Sequence, residues 1–147
     1  MHTVLMGREA ICAMIPHGGA MCLLDDVLSW DENTIVCQSS SHRTPHNPLI
    51  KNGKLSAIHA VEYAAQAMAV HGCLLAHAKG ERLTPGYLAA LKDVHLHMRY
   101  IDDLPEPLII KATQLMAAGG NLMYTLEVAS GGQVVATARA TVVTQSE

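Results

Sequence analysis

Residues 54–78, KLSAIHAVEYAAQAMAVHGCLLAHA, are the longest helix-prone stretch of the chain. They are rich in strong helix formers, Asn52-Gly53 precedes them and Gly80 follows, so the pattern predicts a helix from Lys54 to Ala78. Apolar residues fall on nearly every side of that helix, which means that it must be covered on several sides at once. A chain with one such helix has to build the rest of itself around it. The stretch contains a single carboxylate, Glu62, set among Ile58, Val61, Ala64, Ala65 and Met68.

The flanking sequence supplies the cover. Residues 7–14 read as a short helix, ended by Ile15-Pro16-His17-Gly18-Gly19. Residues 21–30 and 34–40 read as two strands turning at Asp31-Glu32-Asn33, and residues 41–53 as a loop rich in Pro, Asn and Gly. After the helix, strands are predicted at 86–101, 108–118, 121–130 and 133–144. The last three are joined by Gly119-Gly120 and Gly131-Gly132, the signature of two-residue hairpins. This order predicts an α+β fold: one domain over residues 1–147, with an antiparallel sheet curled around the long helix.

Composition removes several function classes. The chain has 147 residues, 50% of them hydrophobic and 16% charged, which argues against disorder. With a formal charge of −3 and no basic run, no nucleic-acid partner is expected. His, Glu and Gln interrupt the apolar stretches, so no membrane span is expected, and the N-terminus does not read as a signal peptide. The expected location is cytoplasmic. Cys12, Cys22, Cys37 and Cys73 lack CxxC spacing and are expected to be reduced apolar fillers. His95 and His97 share one strand face by their spacing, but two ligands are too few for zinc. No metal and no cofactor is expected.

Three stretches resemble the 3-hydroxyacyl-acyl-carrier-protein dehydratases of the hotdog fold. IPHGGAMCLLDDV (15–27) is similar to their opening segment, VEYAAQAMA (61–69) to their Glu-x-x-Ala-Gln helix motif, and TPHNPL (44–49) to their histidine loop. The chain most resembles the short members of aryl-polyene and related fatty-acid or polyketide pathways. It departs from their pattern in having Asn47-Pro48 after His46, and no Pro-Gly pair before Leu55.

The resemblance implies Glu62 as the acid and His46 as the base, with His42 as a rival for the base. A neutral imidazole suits proton abstraction near neutral pH, and a carboxyl group in apolar surroundings keeps a proton to donate. Gln66, one turn from Glu62, together with Asn47 and Gly53, is expected to bind substrate. Residues 53–56 would offer N–H groups at the helix start to the thioester oxygen. His17 belongs to the opening motif and is expected to fix its loop by hydrogen bonds. The implied partners are acyl carrier protein and a second hotdog chain, identical or related, because base and acid come from opposite subunits in such enzymes. Two alternatives stay open: a hotdog thioesterase, and a non-catalytic subunit of a heteromeric dehydratase.

Overall fold

Two glycine pairs organise the regular half of the molecule. The structure, a computed structural model, describes residues 5–15, 21–80 and 86–144; His17 and the adjoining residues 16–20 lie outside them. Gly119 and Gly120 have φ of 60° and 82°, and Gly131 and Gly132 have φ of 57° and 79°. Both central residues of each turn thus take the left-handed conformation that matches the twist of a tight hairpin. These turns join β5 (Leu108–Ala118), β6 (Asn121–Ser130) and β7 (Gln133–Thr144), whose bounds are those the sequence predicts.

The other strands are β1 (Met6–Gly7), β2 (Asp26–Trp30), β3 (Thr34–Ser39) and β4 (Gly86–Leu96). All seven form one antiparallel sheet in the order β1-β2-β3-β5-β6-β7-β4. The two-residue β1 was not foreseen. β4 is shorter than expected: bulges between Leu88 and Ala90 and between Lys92 and His95 interrupt its pairing with β7, and Asp93 has φ of 51°. His97 falls past its end.

The sheet packs on α2 (Ala60–Ala78). Tyr63, Ala64, Ala67, Val70 and Leu74 of α2 join Ile35, Ile110, Tyr124, Leu126 and Ala138 of the sheet in one buried core. Small residues on both sides let helix and sheet approach closely, and the crevice lined by Ala60, Val61, Ala64, Leu126, Val128 and Ala136 measures about 10 Å³. α1 (Arg8–Met14) rests against the same helix. On α2 a stripe of Val61, Glu62, Ala65, Ala69, Gly72 and Leu75 stays only half-buried.

Two expectations need correction. The long helix does not begin at Lys54. Lys51 and Lys54 exchange N–H···O bonds of 2.8 and 3.0 Å around Asn52 and Gly53, whose φ values are 53° and 74°. Asn-Gly here makes a tight turn, its commonest use. Leu55 to Ala57 then pairs with Arg99 to Ile101, through Ala57 N–H to Arg99 O and Ile101 N–H to Leu55 O, both 2.9 Å. Ser56 caps a short 3-10 turn, Ala57–His59, that leads into α2. The cysteines are not all reduced either. Cys12 and Cys22 form a disulfide with Cα atoms 5.7 Å apart, because packing α1 beside the lead-in to β2 brings them within reach without any CxxC motif. Cys37 and Cys73 are free and buried, and burial pushes the Cys37 thiol up to about 12.

Candidate active site

Glu62 sits on the first turn of α2. It is half-buried within this chain, short of the full burial its apolar neighbours suggest. Its Oε2 accepts a hydrogen bond of 3.0 Å from Gln66 Nε2, one turn on. Its Oε1 has no hydrogen bond among the described residues.

Gln66 is buried, and the protein uses its whole amide. Its second N–H donates to Met21 O at 2.7 Å, and its Oε1 accepts from Leu23 N–H at 2.9 Å. The geometry therefore makes Gln66 a clamp between Glu62 and the segment before β2. Leu23 is the hub of that segment: its carbonyl accepts from the hydroxyls of Ser39 and Ser41. Ser41 Oγ lies 2.7 Å from the Tyr63 hydroxyl, and Asn47 Nδ2 lies 3.0 Å from it. Asn47 also donates to Ser41 O at 2.9 Å and accepts from Leu49 N–H at 2.9 Å. Asn47, buried, is therefore committed to holding its own loop.

That loop carries both candidate histidines, and the structure separates them. His42 is fully buried, its Nε2–H donating to Leu104 O at 2.9 Å. Burial holds its pKa below the usual histidine value, partly offset by the Leu104 carbonyl. The ring is thus neutral, with an Nδ1 lone pair that has no partner among the described residues. His46 is exposed, makes no hydrogen bond among the described residues, and lines a groove of about 440 Å³. Arg8, Cys22, Leu23, Asp25 and Asn47 share that groove. Arg8 donates to Cys22 O and lies 3.9 Å from Asp25. No hydrogen bond or ion pair joins His46 to Glu62 within the described residues.

Gly53 lies in the exposed Lys51–Lys54 turn, not at the helix start. The N–H groups that do begin the helical segment are taken: Ala57 by Arg99 O, Ile58 by Ser56 Oγ and His59 by Ser56 O. Within residues 53–56, where oxyanion donors were expected, Lys54 N–H donates to Lys51 O and Leu55 N–H to Asp102 Oδ1. Sequence reasoning missed Tyr63, Ser39 and Ser41. The available signal was Tyr63 itself, since a tyrosine in an apolar helix needs a partner for its hydroxyl.

Among the described residues no group of three or more His, Cys, Asp or Glu side chains could hold a metal ion, and no helix is long and apolar enough to cross a membrane. His95 lies instead in a second groove of about 310 Å³, with Asp93, Lys111, Glu127 and Arg139.

A seven-stranded antiparallel sheet around one long helix, with an acid on the first turn of that helix, defines a hotdog-fold protein. Residues 9–147 match the ApeP-like family, described as ApeP dehydratase, and the chain belongs to that family. No curated protein matches the chain. Among solved structures it is similar to the dehydratase heterocomplex ApeI:P from Xenorhabdus doucetiae, with 22% identity, 93% of this chain and 91% of that chain covered, and a TM-score of 0.82. It is also similar in fold to zebrafish thioesterase superfamily member 2, with 18% identity, coverage of 94% and 95%, and a TM-score of 0.64. The Escherichia coli PaaI protein of the phenylacetic acid degradation operon has 14% identity, coverage of 92% and 88%, and a TM-score of 0.62.

Proposed function

We propose that this chain removes water from 3-hydroxyacyl thioesters carried on acyl carrier protein, as one half of a pair of hotdog chains. The observation that carries the reading is the state of Glu62: one oxygen is clamped by Gln66 and the other is open. Family membership supplies the reaction class.

In this reading His46 takes the proton from C2 of the substrate. The C2–H electrons form the C2–C3 double bond, the C3–O bond breaks, and Glu62 delivers a proton to the departing hydroxyl, which leaves as water. The imidazole ends protonated and the carboxylate ionised, and proton exchange with solvent resets both. His46 is preferred over His42 because it is exposed in a groove, whereas His42 is buried with its ring held by Leu104.

No hydrogen bond or ion pair joins His46 to Glu62 within the described residues of one chain, and base and acid are assigned to opposite chains. The half-open stripe of α2 and the edge strand β4, where Leu88, Leu91 and Leu96 are exposed, are surfaces that a second hotdog chain fits. Because the similar ApeI:P is a heterocomplex, a related rather than identical chain is the proposed partner. The 10 Å³ crevice under α2 is far too small for an acyl chain, which is assigned to the surface between the chains.

The test is to incubate the purified chain, alone and with a co-encoded hotdog chain, with 3-hydroxyacyl carrier protein and to follow the products by mass spectrometry. Loss of one water is expected. Glu62→Gln should slow it on the order of 10²–10⁴-fold, and His46→Ala comparably. Thioester cleavage in place of water loss would make the chain a thioesterase. A wild-type rate in Glu62→Gln would remove Glu62 from the mechanism. Activity in His46→Ala with none in His42→Ala would move the base to His42.

A further inference from the structure

We infer that Tyr63 is a positioning residue, whose hydroxyl locks the loop carrying His46 to the helix turn carrying Glu62. The inference rests on the dehydratase reading and adds to it a residue that touches no substrate.

The hydrogen bonds can be assigned proton by proton. Ser41 Oγ lies 2.8 Å from Leu23 O, 2.9 Å from Ser39 Oγ and 2.7 Å from the Tyr63 hydroxyl; with the Ser41 proton on the Leu23 carbonyl, the Tyr63 hydroxyl donates to Ser41 Oγ. Asn47 has two amide protons. One goes to Ser41 O and the other to the Tyr63 oxygen at 3.0 Å. The Tyr63 hydroxyl therefore both gives and accepts, and it joins residues 41 and 47, the two sides of the loop. Tyr63 and Asn47 are both buried, which shields these bonds from competing water.

The circuit closes on the acid. Leu23 accepts from Ser41 through its carbonyl and donates through its N–H to Gln66, which holds Glu62. Tyr63 follows Glu62 in sequence, and Asn47 follows His46. One set of bonds thus fixes the segments bearing both groups that this chain supplies, although His46 itself makes no hydrogen bond among the described residues. Deleting the Tyr63 oxygen strands an Asn47 N–H in a buried site and takes away the acceptor's partner at Ser41. The loop must then shift or admit water.

Tyr63→Phe and Asn47→Ala, singly and together, test the assignment in the complex that turns over. A purely structural role would lower thermal stability while the folded enzyme kept its kcat. A positioning role lowers kcat on the order of 10–100-fold with KM within about threefold, because a misplaced base still permits binding. Because the two side chains act as one unit, the double variant should be no slower than the slower single variant. A kcat for Tyr63→Phe within twofold of wild type, or losses that multiply in the double variant, would overturn the assignment. A second readout does not depend on activity. Limited trypsin digestion should cut Tyr63→Phe after Arg43 about tenfold faster than wild type, with cleavage at Lys111 and Arg139 unchanged. If wild type releases no water under any condition, the dehydratase reading fails, and the trypsin arm alone decides whether Tyr63 locks the loop. Unchanged cleavage after Arg43 would show that it does not.

Discussion

In β5, β6 and β7 the main chain pairs with itself along two long ladders, each interrupted by a single bulge, and side chains are needed only to fill the core. Outside β2 and β3, the chain from Met21 to Ala57 is held differently. Asp25 Oδ2 accepts from Ser40 N–H at 2.7 Å, Ser39 and Ser41 reach Leu23 O, Asn47 ties its own loop, and Asp102 Oδ1 accepts from Leu55 N–H at 3.0 Å. A ladder spreads its strength over many equivalent bonds. A segment held by side chains concentrates it in a few polar atoms, and in return the backbone is free to place a histidine or an acid where a ladder would not allow it. His46 and its groove belong to the second kind of structure, whereas Glu62 and Gln66 stand on α2.

Where the two kinds meet, His71 joins them. Its Nε2–H donates to Asp31 O at 2.8 Å in the β2–β3 turn, and its Nδ1 accepts from the Tyr124 hydroxyl of β6 at 2.7 Å. His71→Ala should give the largest loss of stability, about 3–5 kcal/mol, from a core cavity plus two stranded polar groups. Urea unfolding checks this, and a loss below about 1 kcal/mol would mean that the two regions are not joined there. The same residue sets a pH response. Burial depresses the pKa of both His71 and His42, so the folded state resists protonation below the ordinary histidine value of about 6.5. Below that pH the unfolded chain binds more protons, and stability falls as pH falls; above it these two groups leave stability flat. Denaturant midpoints from pH 7.5 to 5.5 should decline, and less steeply in His71→Gln.

Within the side-chain-held segment, Ser41→Ala should cost about 1–3 kcal/mol, because Tyr63 and Leu23 each lose a buried partner. Thermal melting would show it. In the ladder region only special positions should matter. Gly131→Ala forces a left-handed alanine at φ of 57° and brings its Cβ to 3.2 Å from Glu106 Cγ, for an expected loss of about 1–2 kcal/mol. Arg139→Ala, which removes an exposed 3.8 Å ion pair with Asp93, should change stability by no more than about 0.5 kcal/mol. A larger effect at Arg139 than at Ser41 would reverse the ranking of the two regions.

The same division explains what could be read from the sequence. Glycine pairs and alternating runs are local signals, and β5, β6 and β7 were legible to the residue. So were the existence of the long helix and its end at Ala78. Its start was not, because Asn52-Gly53 serves equally as a helix lead-in and as a turn, and only the pairing of Leu55 to Ala57 with Arg99 to Ile101 decides between them. The Cys12–Cys22 bond depends on tertiary proximity and left no mark in the spacing. Glu62 and Gln66 were visible as neighbours at helical spacing, but the Tyr63–Ser41–Asn47 circuit joins residues 16 and 22 positions apart. The sequence shows that the Tyr63 hydroxyl needs a partner, but not which residues supply it.

The disulfide also bears on how the molecule comes together. α1 has seven residues, well below the dozen or so at which a helix begins to persist unaided in water. Linking Cys12 to Cys22, ten positions on, restricts the unfolded chain, and in the chain-entropy account a loop of that size contributes about 3 kcal/mol. The short helix is thereby tethered to the stretch that receives Gln66 before either is docked. Arg8 arrives at the groove already confined, and little further freedom is lost when the wall beside His46 closes.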